Sequence, residues 1–142
     1  MDEQRESQSS TARIATSVVQ VLSKHTGRGP TKAKATIDED MVIVLLADTL
    51  TDGERTLVQN GRAERVLRLR HEYQQVMCDD LVGVVERELH RTVIAFLSQN
   101  HIDPDLAVEV FVLKPADPIE PTGAAPEARD ASATIPPQAG GC

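Results

Sequence analysis

The segment Ile37-Asp38-Glu39-Asp40-Met41 returns as Ile102-Asp103-Pro104-Asp105-Leu106, and each copy leads into an apolar run. Ile43, Leu45 and Ala47 of the first run match Val108, Val110 and Val112 of the second. A hydrophobe followed by acidic turn residues is itself a common hairpin boundary. The recurrence therefore reads either as a duplication or as two independent turns. In both readings the chain contains two hairpins, and each hairpin follows an amphipathic helix. That predicts an α+β fold of two α-β-β units, with one four-stranded antiparallel sheet and the helices packed on one face.

Local patterns place the elements. Ser10 is an N-cap candidate for a helix over about residues 11–26, with Ile14, Val18, Val21, Leu22 and His25 on one face. Gly27 suits the position after its end, and Pro30 prevents continuation. Thr31 to Ile37 alternates, as a half-buried edge strand does. Met41 to Ala47 is unbroken apolar sequence, which predicts a strand buried on both faces or nearly so. Thr51 with Glu54 forms a capping-box pattern. It opens a helical region to about Leu89 that Asn60-Gly61 interrupts. In the longer part Val66, Leu69, Tyr73, Val76, Met77, Leu81, Val84 and Val85 share a face. Thr92 to Leu97 and Leu106 to Leu113 read as strands, joined by Ser98 to Asp105.

Composition narrows the function classes. Among 142 residues the aromatics are Tyr73, Phe96 and Phe111, so the core is aliphatic and base stacking has little to work with. The net charge is −7, but the two ends carry most of it, leaving −2 over residues 9–114. A nearly neutral folded part argues against nucleic-acid binding, which needs a clustered positive surface. No stretch approaches the ~20 apolar residues of a membrane span, and the polar first ten residues carry no secretion signal. Residues 1–9 are expected to be disordered, 10–114 to fold as one domain, and the Pro/Ala/Gly-rich residues 115–142 to be disordered. Cys78 in a helical pattern and Cys142 in the tail imply no disulfide framework. Cys78 reads as an inert core thiol, and a cytoplasmic location fits.

Two segments carry candidate chemistry. Gly27, Arg28, Gly29, Thr31, Lys32 and Lys34 combine backbone amides, a hydroxyl and cations that suit a phosphate or carboxylate. The segment follows a helix, however, so no helix N-terminus points into it, and a plain helix stop and turn is the other reading. Asn100, His101, Asp103 and Asp105 place imidazole and carboxylates close together. Their spacing matches no established metal site, and turn amides can use the same side chains. Arg55, Arg62, Arg65, Arg68 and Arg70 lie along the middle helices, interleaved with Glu54, Glu64 and Glu72, as on a solvated surface. No nucleophile, base and orienter come together by sequence, so a non-enzymatic protein with no metal or cofactor is expected.

Thr26-Gly27-Arg28-Gly29-Pro30, Asp48-Thr49-Leu50-Thr51 with Glu54, Ala95 to Asp105, and Ala107 to Leu113 occur in an order that resembles the MpsC-type domain. This family is named for a Na+-translocating membrane-potential-generating system, and the likeness covers about residues 10–114. The resemblance implies a soluble accessory or regulatory subunit that contacts membrane ion-transport proteins, peripheral at the inner face of the membrane and not inserted in it. A small anion-binding regulator is the alternative. The edge strand Thr31–Ile37 and the long apolar helix also suggest a homodimer.

Overall fold

The computed structural model describes residues 2–115 and Cys142; the tail expected to be disordered falls largely outside the described residues. The elements run α1 (Asp2–Thr26), β1 (Lys32–Asp38), β2 (Met41–Ala47), α2 (Asp52–Gln59), α3 (Ala63–Leu89), β3 (Val93–His101) and β4 (Leu106–Leu113). All strands pair antiparallel in the order β1-β2-β4-β3. The two hairpins therefore meet through their second strands. Ile43 pairs with Val110 and Leu45 with Val108, so the two copies are related by a local twofold centred on the Val44–Glu109 pair.

Helix α1 begins nine residues before the expected start, at Asp2, and Ser10 lies inside it. Burial does not carry this extension, because residues 2–9 are exposed. Asp2 and Glu3 in the first turn favour it by opposing the helix dipole. The buried stripe starts only at Ile14 and Val18. Gly27 ends the helix at φ 80°, and its N–H donates to the Ser23 carbonyl at 2.9 Å. The Thr51–Glu54 capping box is present, and Gly61 at φ 73° separates α2 from α3.

Helices α1 and α3 pack on each other and on one face of the sheet, α1 over β1 and α3 over β3. The core between the layers is aliphatic: Ile14, Val18, Val42, Val44, Leu46, Leu81, Val85 and Leu113, with Phe111 its one fully buried aromatic. Arg13 bonds to Glu88, and the His25 imidazole lies 2.9 Å from Asp80, along the α1–α3 seam. On α3 the buried side is Val66, Met77, Cys78, Leu81, Val82, Val84 and Val85, while Leu69, Tyr73 and Val76 stay exposed.

Two expectations are corrected. Met41 to Ala47 is not buried on both faces. Val42, Val44 and Leu46 lie under the helices, but Met41, Ile43, Leu45 and Ala47 face the uncovered side, with Leu45 45% exposed. The helices lie on one side, so no element among the described residues covers the other. The cysteines are also not separate thiols, since Cys78 and Cys142 form a disulfide with Cα atoms 6.0 Å apart. Sequence separation alone gave no reason to bring position 142 to the middle of α3.

Candidate functional site

The motifs of the sequence converge at one end of the sheet, where β2 leaves it and the β3–β4 hairpin turns. Asp48 follows β2 at φ 56°, in the left-handed region that Asp tolerates better than most residues. Its carboxylate accepts from the Thr31 hydroxyl at 3.0 Å, from the Arg28 guanidinium at 3.1 Å and from Arg55. The Thr31 bond first, then the two arginines, hold the Asp48 carboxyl below its usual range. Arg28 also donates to the Leu50 and Asp48 carbonyls, at 2.5 and 3.2 Å. Gly29 lets this loop lie against α1, where a Cβ would come within 3.0 Å of the Val19 side chain.

Asp105 closes the junction from the other hairpin. It accepts from the Thr49 hydroxyl at 2.8 Å and from the Leu50 N–H at 3.0 Å. Arg70 of α3 reaches in beside it. Its Nε and one Nη2 proton go to Glu54, at 2.7 and 2.8 Å, and the other Nη2 proton goes to the Thr49 carbonyl at 2.8 Å. Its Nη1 group donates to Thr49 Oγ1 at 2.8 Å and Asn100 Oδ1 at 2.9 Å. A guanidinium has five N–H donors, and all five are used. Burial alone would raise the Glu54 carboxyl, but the bonds from Arg70 and Thr51 outweigh it and hold it low.

The candidate residues thus divide. Arg28 and Thr31 meet on Asp48, so a carboxylate of the chain itself occupies the anion position beside them. Lys32 and Lys34 point to the uncovered face of the sheet, away from Arg28. Gly27 and Gly29 serve the helix end and the close approach to α1. Asn100 and Asp105 join the junction. His101 donates from Nδ1 to the Pro104 carbonyl at 2.8 Å, and Asp103 is exposed at the turn. Of the five arginines, Arg70 and Arg55 enter the junction, and Arg62, Arg65 and Arg68 stay in solvent.

Sequence reasoning missed Glu109. It lies next to the junction, in the middle of β4, and is 3% exposed. Its Oε2 has no hydrogen-bond partner among the described residues, and neither has the hydroxyl of Ser98, its cross-strand neighbour on β3. Burial pushes the carboxyl up to about 7 against the opposing pull of Ser98 and Arg70. The signal was present in Leu-Ala-Val-Glu-Val-Phe-Val-Leu, where Glu109 shares its parity with the core residues Ala107, Phe111 and Leu113. Glu109 lines a cavity of about 160 Å³ between the sheet, α3 and the α1–β1 loop.

No group of metal-ligating side chains occurs among the described residues, and no helix among them is long and apolar enough to cross a membrane. No curated protein and no solved structure matches the chain at a significant level. A family model does match, over residues 6–115, and its description is the Na+-translocating membrane potential-generating system (MpsC). Those residues take in every element from the first turns of α1 to the end of β4, including the whole junction, and the chain belongs to the MpsC family.

Proposed function

We propose that the protein acts without catalysis, as an accessory or regulatory subunit of a Na+-translocating membrane-potential-generating system, by presenting the uncovered face of its sheet to a partner protein. The observation that supports this reading is the chemistry of that face. Met41, Ile43 and Leu45 of β2, Val108, Val110 and Val112 of β4, and Ile94 and Leu97 of β3 stand side by side on it, with Ile94 50% and Leu97 59% exposed. Three strands at about 4.8 Å spacing and seven residues at about 3.3 Å give an apolar footprint on the order of 300 Å². A contiguous patch of a few hundred Å² on a small domain marks an interaction site. The antiparallel sheets of free-standing proteins carry polar side chains on a solvated face; here only β1 is polar along its length, with Lys32, Lys34, Thr36 and Asp38, and β3 adds Gln99 and His101 at its end.

The family's description supports the choice of a membrane ion-transport protein as the partner in this reading, which we place at the cytoplasmic side. The test is affinity purification of tagged protein from detergent-solubilised native membranes, beside an L45D/L97D double variant. Stoichiometric recovery of integral transport subunits with the wild type, lost in the variant, is the expected result. Equal recovery with both, or no membrane protein with either, overturns the reading.

A homodimer through the same face is the second reading. The β1 row carries Lys32 and Lys34 at one end and Asp38 at the other. A twofold axis across the strands would set the lysines of one copy against the aspartate of the next, as a self-complementary interface requires. Light scattering separates the two readings: a dimer mass that falls to monomer in L45D/L97D favours self-association.

A further inference from the structure

We propose that the cavity beside Glu109 is a binding site for a small organic monocation, a primary alkylammonium of about six non-hydrogen atoms, with its ammonium group against the Glu109 carboxylate and its chain along the apolar wall. The inference is independent of the contact function proposed above.

Charge decides the sign of the ligand. Four charged or titratable groups line the cavity with Glu109: Arg28 from the α1–β1 loop, Glu54 from α2, and Arg70 and Tyr73 from α3. Arg70 pairs with Glu54 and has no donor left, and Arg28 pairs with Asp48. Glu109 is the carboxylate on the wall that no cation among the described residues bonds. Strands β2 and β4 contribute only Leu46 and Ala107 beside it, and α1 contributes Leu22 and Thr26. A buried carboxylate without a partner is costly. A ligand that brings one positive charge and two or three N–H donors removes that cost, with Glu109 Oε2 open to accept.

Shape decides the rest. Leu22, Leu46, Leu69, Met77 and the Tyr73 ring make most of the wall apolar. A bare metal ion is the poorer fit, because it favours several carboxylate ligands and no metal-holding group of side chains occurs among the described residues. An alkyl chain fits it, and a cavity of about 150 Å³ is large enough for a six-carbon ring. Leu69 and Tyr73 are also the solvent-exposed members of the lining, so they mark its mouth.

The experiment is calorimetric titration of the full chain with n-pentylammonium chloride at pH 8, where Glu109 is ionised. Wild type, E109Q and E109V are compared, each first shown to be folded by circular dichroism. Glutamine keeps the shape, and valine copies Val44 across the strand pair, so at least one variant is expected to fold. Saturable one-to-one binding to the wild type, at least tenfold weaker in both variants, is expected. Shifts of the Leu46, Leu69 and Met77 methyl resonances should accompany it. Absence of saturable binding to the wild type overturns the proposal, as does binding within twofold in both variants. Equal binding of 1-pentanol shows a neutral apolar site, and displacement by NaCl shows an inorganic-ion site; either also overturns it.

Discussion

Val44 and Glu109 face each other at the centre of the sheet, both under the helices, one a buried aliphatic side chain and the other a buried carboxyl group. They hold the same place in the two copies of the hairpin sequence. The position that is plain core in the first hairpin holds a carboxyl group in the second, and that carboxyl lines the cavity.

Glu109 should make the protein less stable as pH rises. The carboxyl is raised from 4.5 to about 7 by burial, so the folded state binds the proton more tightly than the unfolded state. Stability then falls between about pH 4.5 and 7, and the loss is complete above the folded value. A rise of that size corresponds to about 3 kcal/mol. Thermal unfolding of E109Q should show a higher Tm than wild type at pH 8, with the gap closing towards pH 4.5. A gap that does not change with pH would show that Glu109 is already ionised or paired in the fold. At lower pH the Asp48 and Glu54 carboxyls act in the opposite sense. Both are held low in the fold, so the stability they contribute is lost as pH falls through their folded values.

Arg70 should be the most costly surface-reaching charge to remove. Its five donors are all used, and its pair with Glu54 is largely buried, at 14% and 12% side-chain exposure. Removing one member of a buried pair leaves the other uncompensated, at roughly 3 kcal/mol or more. Chemical denaturation of R70A should show a loss of that order, and R70K should recover only part of it, because lysine cannot supply the planar fork. The R70A/E54A double variant should lose less than the sum of the single losses.

Much of this was legible in the sequence. The two hairpins, the capping box at Thr51 and the break at Gly61 each rest on local chemistry that a few adjacent residues carry. The uncovered face of β2 was not legible, because an unbroken apolar run looks the same whether its second face meets a helix or a partner. The junction was legible in its parts but not in its assembly. Arg28 and Asp48 are 20 residues apart, and Thr49 and Asp105 are 56 apart, so the first pairing depends on the β1–β2 register and the second on the β2–β4 register. Lys32 and Lys34 looked continuous with Arg28, but strand alternation turns them to the other side of the sheet. Glu109 stood in plain view as an acid on the core parity of an alternating strand.

Asp105 should tie the second hairpin to the start of the α2 segment. Its two oxygens accept separately from Thr49 and Leu50, and its own carbonyl accepts from the Asp48 N–H at 3.2 Å. D105A removes both side-chain bonds and leaves the Leu50 N–H without its acceptor, which costs about 2 kcal/mol. D105N keeps one acceptor oxygen and should cost less. Amide hydrogen exchange checks the location: Leu50 should exchange faster in D105A than in wild type, while Val44 and Val110 in the central pair keep their protection. Uniform acceleration across the sheet would mean that Asp105 acts on global stability and not on this junction.

Leu45 and Leu97 should be nearly dispensable for stability. Both stand on the uncovered face, more than two-fifths exposed, and surface substitutions away from special features change stability by about 0.5 kcal/mol or less. The L45D/L97D variant should therefore unfold within a few degrees of wild type while losing its partner. The contrast with Val42→Asp makes the argument specific. Val42 lies one residue along β2 from Ile43, on the helix side and fully buried, and a charge there has no counterion in an aliphatic core. V42D should fail to fold under conditions where L45D/L97D folds normally. If L45D/L97D unfolds as readily as V42D, the uncovered face is part of the core of a larger folded unit, and the isolated domain is not its native state.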